Sequence, residues 1–545
     1  MTLISLSLLA LSLWIIIRVL VIIYRLAWHP LARFPGPKFA AATSAYEFYF
    51  DAIKGGQYTF EIGHMHKKYG PIVRISPHEL HINDPGFIEE LYPGPGKPRD
   101  KYAYATGQFG IPDVCSLVLT PYDLSSVFGA VSHDLHRMRR GALSPFFSKA
   151  AVTKLEPVIY SAVDKLISRI EEVVESTGFV DLTMAFSCMT TDIVTQYAFA
   201  ESSRFLENPD FTPNFHEAIL AGTRMGSWAR HFPILFPVLR SIPIDILSRM
   251  SPETGVFLRW QESMRKKVSE IWQDQSALPV KDKNVSPFGS TIFHELFHSD
   301  MPDSEKHPGR MWQEGQIVIG AGTETTFTIW VEDSDRYLML ALTATTFFIL
   351  DNPNILSKLR KELAATMPNR YEKPSCRELE ALPYLIIIQE GLRLSFGVAT
   401  RLQRINSEAP MIFRQKKTND TIEEKVWEIP TGTPVGMTAA LVHLNPELFP
   451  DPHEFRPERW LDQDGQLHRG LDKYILSFSR GSRQCIGINL AYSELYMGIG
   501  ILIRRLGDRM QLFETDRTDV DMVEDCFVPV PRRESNGVRV RLSAQ

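Results

Sequence analysis

Cysteine is scarce in this chain. Five residues among 545, Cys115, Cys188, Cys376, Cys485 and Cys526, show neither disulfide nor zinc spacing, and an odd, unpaired set fits a reducing compartment. A basic excess is also missing. The formal net charge is −5, which removes the electrostatic footprint of a nucleic-acid binder. No internal repeat, low-complexity tract or evident linker interrupts the chain, and no flavin- or dinucleotide-binding unit is recognisable in it. Helical patterns alternate with short strand signals, so the expectation is one large domain, mainly α with small β-sheets.

Long apolar runs are absent except for one. From Leu3 to Tyr24 about fifteen residues are Leu, Ile or Val, each contributing roughly −0.3 to −0.6 kcal/mol to insertion against a penalty of up to about 3.5 for Arg18. The sum favours a spanning helix. Arg25, Arg33 and Lys38 follow it and no small-residue cleavage site does, which predicts an uncleaved anchor with the rest of the chain on the cytosolic side. Residues 1–27 are expected to be the anchor, 28–40 a proline-rich hinge (Pro30, Pro35, Gly36, Pro37) and 41–545 the folded domain. On this topology the sequons at Asn284 and Asn419 stay unmodified.

One of the scarce cysteines stands in an unusual setting, Phe478-Ser-Arg-Gly481-Ser-Arg483-Gln-Cys485-Ile-Gly487. A lone cysteine beside a glycine is ordinarily a small buried hydrophobe. Here two glycines, an arginine and an aromatic ring frame it. That setting suits a thiolate presented to a haem iron, with Gly481 and Gly487 allowing close backbone approach, Arg483 facing a propionate and Phe478 shielding the sulfur. A thiolate ligand pushes electron density toward iron and favours O–O cleavage, which implies oxygen activation.

This loop resembles the haem-binding loop of the cytochrome P450 family, Phe-x-x-Gly-x-Arg-x-Cys-x-Gly, and the resemblance extends over most of the chain. It gives meaning to patterns that are ambiguous alone. Glu390 and Arg393 are three apart on one helix face, which is commonplace on solvated helices. With Phe455-Arg-Pro457-Glu458-Arg459-Trp460, they resemble the family's buried triad, Glu390, Arg393 and Arg459, locking a helix to the loop before the thiolate. In Gly320-Ala321-Gly322-Thr323-Glu324-Thr325-Thr326 each glycine costs about 1 kcal/mol in a helix. The resemblance implies a helix crossing the oxygen side of the haem, with Glu324 and Thr325 as the catalytic pair that relays protons and hydrogen-bonds oxygen. It also makes His136, Arg140 and Arg404 the propionate partners, with Arg401 a weaker candidate. Arg137 and Arg139 read either as a solvated face or as part of a basic surface that docks an acidic flavoprotein. Val398 and Ala399 are read either as cavity-lining residues or as ordinary strand packing.

Two stretches depart from the family pattern, residues 114–125 and 331–342, each about a dozen residues in excess. Both begin with Val, whose codons share GT with a 5′ splice site, so translated introns and genuine surface loops are the two readings; the transcript sequence separates them. The resemblance implies a cytochrome P450 fold behind an N-terminal transmembrane helix. It further implies haem ligated by Cys485 as cofactor and an endoplasmic reticulum location facing the cytosol. The expected activity is insertion of one oxygen atom from O2 into a lipophilic secondary metabolite, a terpenoid or polyketide, with electrons from NADPH through a separate flavoprotein reductase. Fungal trichodiene oxygenase-like enzymes are the similar type. An O2-independent haem-thiolate isomerase or dehydratase and a non-catalytic or misassembled product are the alternatives.

Overall fold

Asn352 and Pro353 show how this chain writes a helix start. The Asn352 side chain accepts from the backbone N–H of Asn354 and Ile355, and Pro353 fills the first helical position, where no N–H is needed. Gly178 writes a stop: its left-handed φ of 87° lets its N–H reach the Val174 carbonyl.

The computed structural model describes residues 3–106, 126–211, 225–232, 234–277, 291–324, 341–415 and 424–544. Its principal helices are α1 (Leu3–Ala27), α2 (His133–Leu143), α3 (Glu156–Thr177), α4 (Leu182–Phe199), α5 (Pro252–Ala277), α6 (Pro308–Glu324), α7 (Ala341–Asp351), α8 (Pro353–Thr366), α9 (Ile387–Ser395) and α10 (Ile488–Leu506). The strands are short: β1 (Ile72–Arg74), β2 (Leu80–Ile82), β3 (Val180–Asp181), β4 (Met411–Gln415), β5 (Lys425–Ile429), β6 (Val435–Gly436), β7 (Met510–Leu512), β8 (Glu524–Asp525), β9 (Pro529–Val530) and β10 (Arg539–Leu542). In one sheet β2 is central, antiparallel to β1 with Val73 opposite His81 and parallel to β6 with Leu80 opposite Val435. The chain is thus mainly helical with small sheets, as expected.

Helix α6 runs through the main core, packed on α4 and α5, while α9 packs on α7. Gly322 is needed for the first contact, because a Cβ there would stand 2.5 Å from Val194 Cγ2. A second apolar cluster joins the β1–β2–β6 sheet to Leu31 and Phe34. Phe34 stacks on Trp427 at 5.2 Å, and the Arg74 N–H donates to the Pro35 carbonyl at 2.7 Å. The proline-rich segment therefore lies against the folded domain. Before it, Ile4–Ala27 of α1 is long and apolar enough to cross a membrane, with mean hydropathy 2.7 and none of it buried.

The first extra stretch, 114–125, and most of the second lie outside the described residues, as do Thr325, Asn284 and Asn419. At the far edge of the second stretch Ala341 and Leu342 belong to α7 and are buried in the core.

Candidate active site

Backbone shape in the cysteine loop comes from left-handed residues, Ser479 at φ 54° and Gly481 at φ 73°. The Cys485 N–H closes the loop on the Phe478 carbonyl at 2.9 Å, and the Ser482 N–H holds it to the Pro93 carbonyl at 3.1 Å. Gly481 is required for a reason the sequence did not show. A Cβ there would meet the Pro93 and Tyr92 carbonyl oxygens at 2.3 and 2.5 Å, whereas Gly481 and Gly487 do not line the cavity described below. Gly481 packs on Tyr92–Pro93, and Gly487 caps α10. Cys485 stands three residues before the first residue of α10, whose N-terminal dipole favours negative charge. Burial pushes its thiol up, while the Gly487 backbone N–H and Arg140 act in the opposite direction.

Behind the loop sits the buried network around Glu390. Its Oε1 accepts from Arg393 Nη2 at 2.7 Å, Arg459 Nε at 3.0 Å and the Arg456 N–H at 2.9 Å, and its Oε2 from Arg393 Nε and Trp460 Nε1, each at 2.9 Å. Glu390 and Arg393 are fully buried. His443 carries this frame to the cysteine loop: its Nδ1–H donates to the Arg393 carbonyl and its Nε2 accepts the Leu476 N–H, both at 2.8 Å. Ser477 Oγ then donates to the Leu392 carbonyl at 2.7 Å. Gly397, with φ 66°, fits against the Ser477 carbonyl, which a Cβ would approach to 2.3 Å. The rigid helix thus sets where Phe478 and Cys485 stand.

Cys485 and Phe478 line a cavity shared with His136, Arg140, Arg404 and Arg483, so the structure brings together most of the residues singled out from sequence. Gly320 and Ala321 of α6 and Val398 line it too; Ala399 does not, its N–H donating to the Phe527 carbonyl at 3.0 Å. Glu324 ends α6. Arg401 is elsewhere, ion-paired with Glu47 and with Glu79 at 2.9 Å. Arg139 corrects the docking-face expectation. It is buried, paired with Glu305 at 2.7 Å, because α2 turns that position inward toward a carboxylate far along the chain. Arg137 is exposed.

Sequence reasoning missed Lys101, whose amine lies 3.4 Å from the Phe128 ring centroid and bonds the Phe128 carbonyl. No local pattern marks it; a lysine in a loop reads as solvated. It also missed Gln316 and Ile317, which counting one helical turn back from Gly320 and Ala321 would have found. Phe257 and Trp260 of α5, Phe128, Phe527 and Val528 complete the apolar lining.

Electrostatics show what the cavity is built to hold. Burial first, then Arg404 and Arg483, pushes the Lys101 amine far below its ordinary range, and burial with Arg404 brings Arg483 down to about 9. Arg404 and Arg140 are lowered by burial as well. Burial, Arg483 and Lys101 take His136 to about 2, so its ring is neutral. Four basic side chains thus share the cavity, and no carboxylate is among the described residues lining it. Buried charges of one sign cost several kcal/mol each unless an opposite charge joins them. An occupant carrying two carboxylates answers that need, and haem, with two propionates and an iron open to a thiolate, matches both the cations and Cys485.

A cation cluster and a cysteine sharing one apolar cavity in a helical frame mark a haem-thiolate protein. Known proteins give the family. The cytochrome P450 family profile matches residues 49–519. The chain is 40% identical over 532 residues to cytochrome P450 monooxygenase tpcC of Cochliobolus heterostrophus, covering 96% of this chain and 94% of that one. It is 41% identical over 529 residues to cytochrome P450 monooxygenase MO6277 of Ascocoryne sarcoides, covering 95% of each. Tryptophan 6-hydroxylase fscE of Fusarium equiseti is 38% identical over 519 residues, covering 95% of this chain and 93% of the relative. The chain belongs to the cytochrome P450 family of haem-thiolate monooxygenases.

Proposed function

We propose that this enzyme inserts one oxygen atom from O2 into a lipophilic secondary metabolite, a terpenoid or polyketide scaffold, with electrons from NADPH through a separate flavoprotein reductase. The observation that carries the reading is the meeting of Cys485 with Lys101, Arg140, Arg404 and Arg483 in one apolar cavity, with no carboxylate among its described lining residues. Cys485 would ligate the iron, and the four cations with the neutral His136 would hold the propionates. Bound there, haem supplies the activation of O2 that no amino-acid side chain can.

The remaining work falls to the chain. Gly320 and Ala321 keep α6 thin where it lines the cavity. Glu324 and Thr325, next along this segment, would deliver protons to the reacting oxygen. Phe257, Trp260 and Phe128 exclude water from the substrate, which suits a molecule with a large apolar surface. The NADPH-dependent reductase would approach on the cysteine-loop side, where Arg137 is exposed and Arg469 and Arg480 line a shallow recess behind Phe478. Residues 1–27 anchor the enzyme in the endoplasmic reticulum membrane, 28–40 lead from anchor to domain, and 41–545 form the catalytic domain facing the cytosol.

Incubation of the haem-loaded enzyme with reductase, NADPH and isotopically labelled O2 tests this. Label in one oxygen of the product is expected. Turnover without NADPH and O2 would establish the isomerase or dehydratase alternative instead.

A further inference from the structure

The cavity has two chemically different parts. The cations, with His136, belong with Cys485 and the propionates. The rest is aromatic and aliphatic, with Phe128, Phe257, Trp260 and Phe527 among its walls, and α6 adds one polar side chain, Gln316. Of the other polar lining groups, Ser477 Oγ and Ser395 Oγ donate to the Leu392 carbonyl and Gln484 lies on the cysteine loop, while Ser479 Oγ, also on that loop, is buried without a hydrogen-bond partner.

Gln316 is held in one orientation. Gln261 of α5, itself 2% exposed, donates from Nε2 to Gln316 Oε1 at 2.9 Å. That bond uses the Gln316 acceptor, and among the described residues its amide –NH2 has no protein partner. A donor fixed in an otherwise apolar wall is costly unless something accepts from it.

We propose that Gln316 is a specificity-determining residue that donates to a carbonyl of an uncharged, flat aromatic substrate; this rests on the monooxygenase reading of the same cavity. Aromatic walls favour a planar ring system through stacked and edge-to-face contacts. Among the described lining residues no charged group remains for a carboxylate or an ammonium once the propionates have taken the cations, so free amino acids and other zwitterions are disfavoured. A polyketide aromatic ketone fits; a saturated hydrocarbon lacks the acceptor.

Calorimetric titration of the haem-loaded enzyme with 2-acetylnaphthalene, 2-ethylnaphthalene and 2-naphthoate tests this. The ketone is expected to bind roughly five- to tenfold tighter than the hydrocarbon, the value of one hydrogen bond. The carboxylate is expected to bind more weakly than either. Gln316→Leu should erase the ketone preference while keeping the hydrocarbon affinity within about twofold. A ketone-to-hydrocarbon ratio unchanged in Gln316→Leu, or naphthoate bound as tightly as the ketone, overturns the proposal. Calorimetry does not depend on the axial ligand, so a carbon monoxide spectrum lacking the thiolate signature counts against Cys485 ligation and leaves the Gln316 ratio to decide this inference.

Discussion

Replacing Glu390 by Gln should cripple the scaffold of the cysteine loop without touching the cavity. Five donors converge on the two carboxylate oxygens, three on Oε1 and two on Oε2. Whichever way the amide of Gln is turned, its –NH2 confronts at least two N–H donors, and the buried Arg393 loses its counter-charge. Removing one partner of a buried pair costs about 3–5 kcal/mol. A degree of melting temperature corresponds to more free energy in a long chain than in a small domain, so the loss converts to a fall of roughly 3–10 °C in the apparent midpoint at a fixed scan rate. Haem occupancy should fall with it, because Arg393 and His443 tie this network to Leu476, just before Phe478. The assay pairs thermal scans with haem content per polypeptide. Trp460→Phe, which removes one donor and leaves the charges intact, serves as the milder control. A Glu390→Gln protein that melts within about 1 °C of wild type with full haem would refute the reasoning.

Three further outcomes follow from the structure. Gly481→Ala places a Cβ at a left-handed φ and within 2.3 Å of the Pro93 carbonyl, so the purified variant should hold markedly less haem than wild type, read by absorbance per polypeptide. Burial takes His443 down to about 3 from 6.5; the unfolded chain then binds the proton first as pH falls, so stability from this group is complete above pH 6.5 and lost between 6.5 and 3. Denaturant midpoints should drop by the equivalent of about 2 kcal/mol from this group between pH 6.5 and 5, and His443→Gln should show a shallower pH slope than wild type. Lys101→Met removes one cation from the cluster and should speed haem transfer to an acceptor apoprotein severalfold, whereas an unchanged rate would remove Lys101 from the propionate site.

The cysteine loop was legible because its pattern is local: Phe478, Gly481, Arg483, Cys485 and Gly487 fall within ten positions. The Glu390 network was legible in part, since Glu390 and Arg393 share a helix face, but Trp460 and His443 join it only through tertiary folding. Arg139 was misread for the same reason, as its partner Glu305 lies far along the chain. The packing of Gly481 on Tyr92 and Pro93 was not legible, since nothing in the sequence places those residues against it. Lys101 and Gln316 carry no motif. Their meaning comes from which walls the fold assembles around one space.

The most direct test of the account is the carbon monoxide difference spectrum of the reduced protein beside that of Cys485→Ser. Ligation by Cys485 predicts the strongly red-shifted Soret band of a thiolate complex in the wild-type chain and its loss in the variant. A wild-type protein that takes up haem but gives no such band, or a Cys485→Ser protein that keeps it, would contradict the central claim.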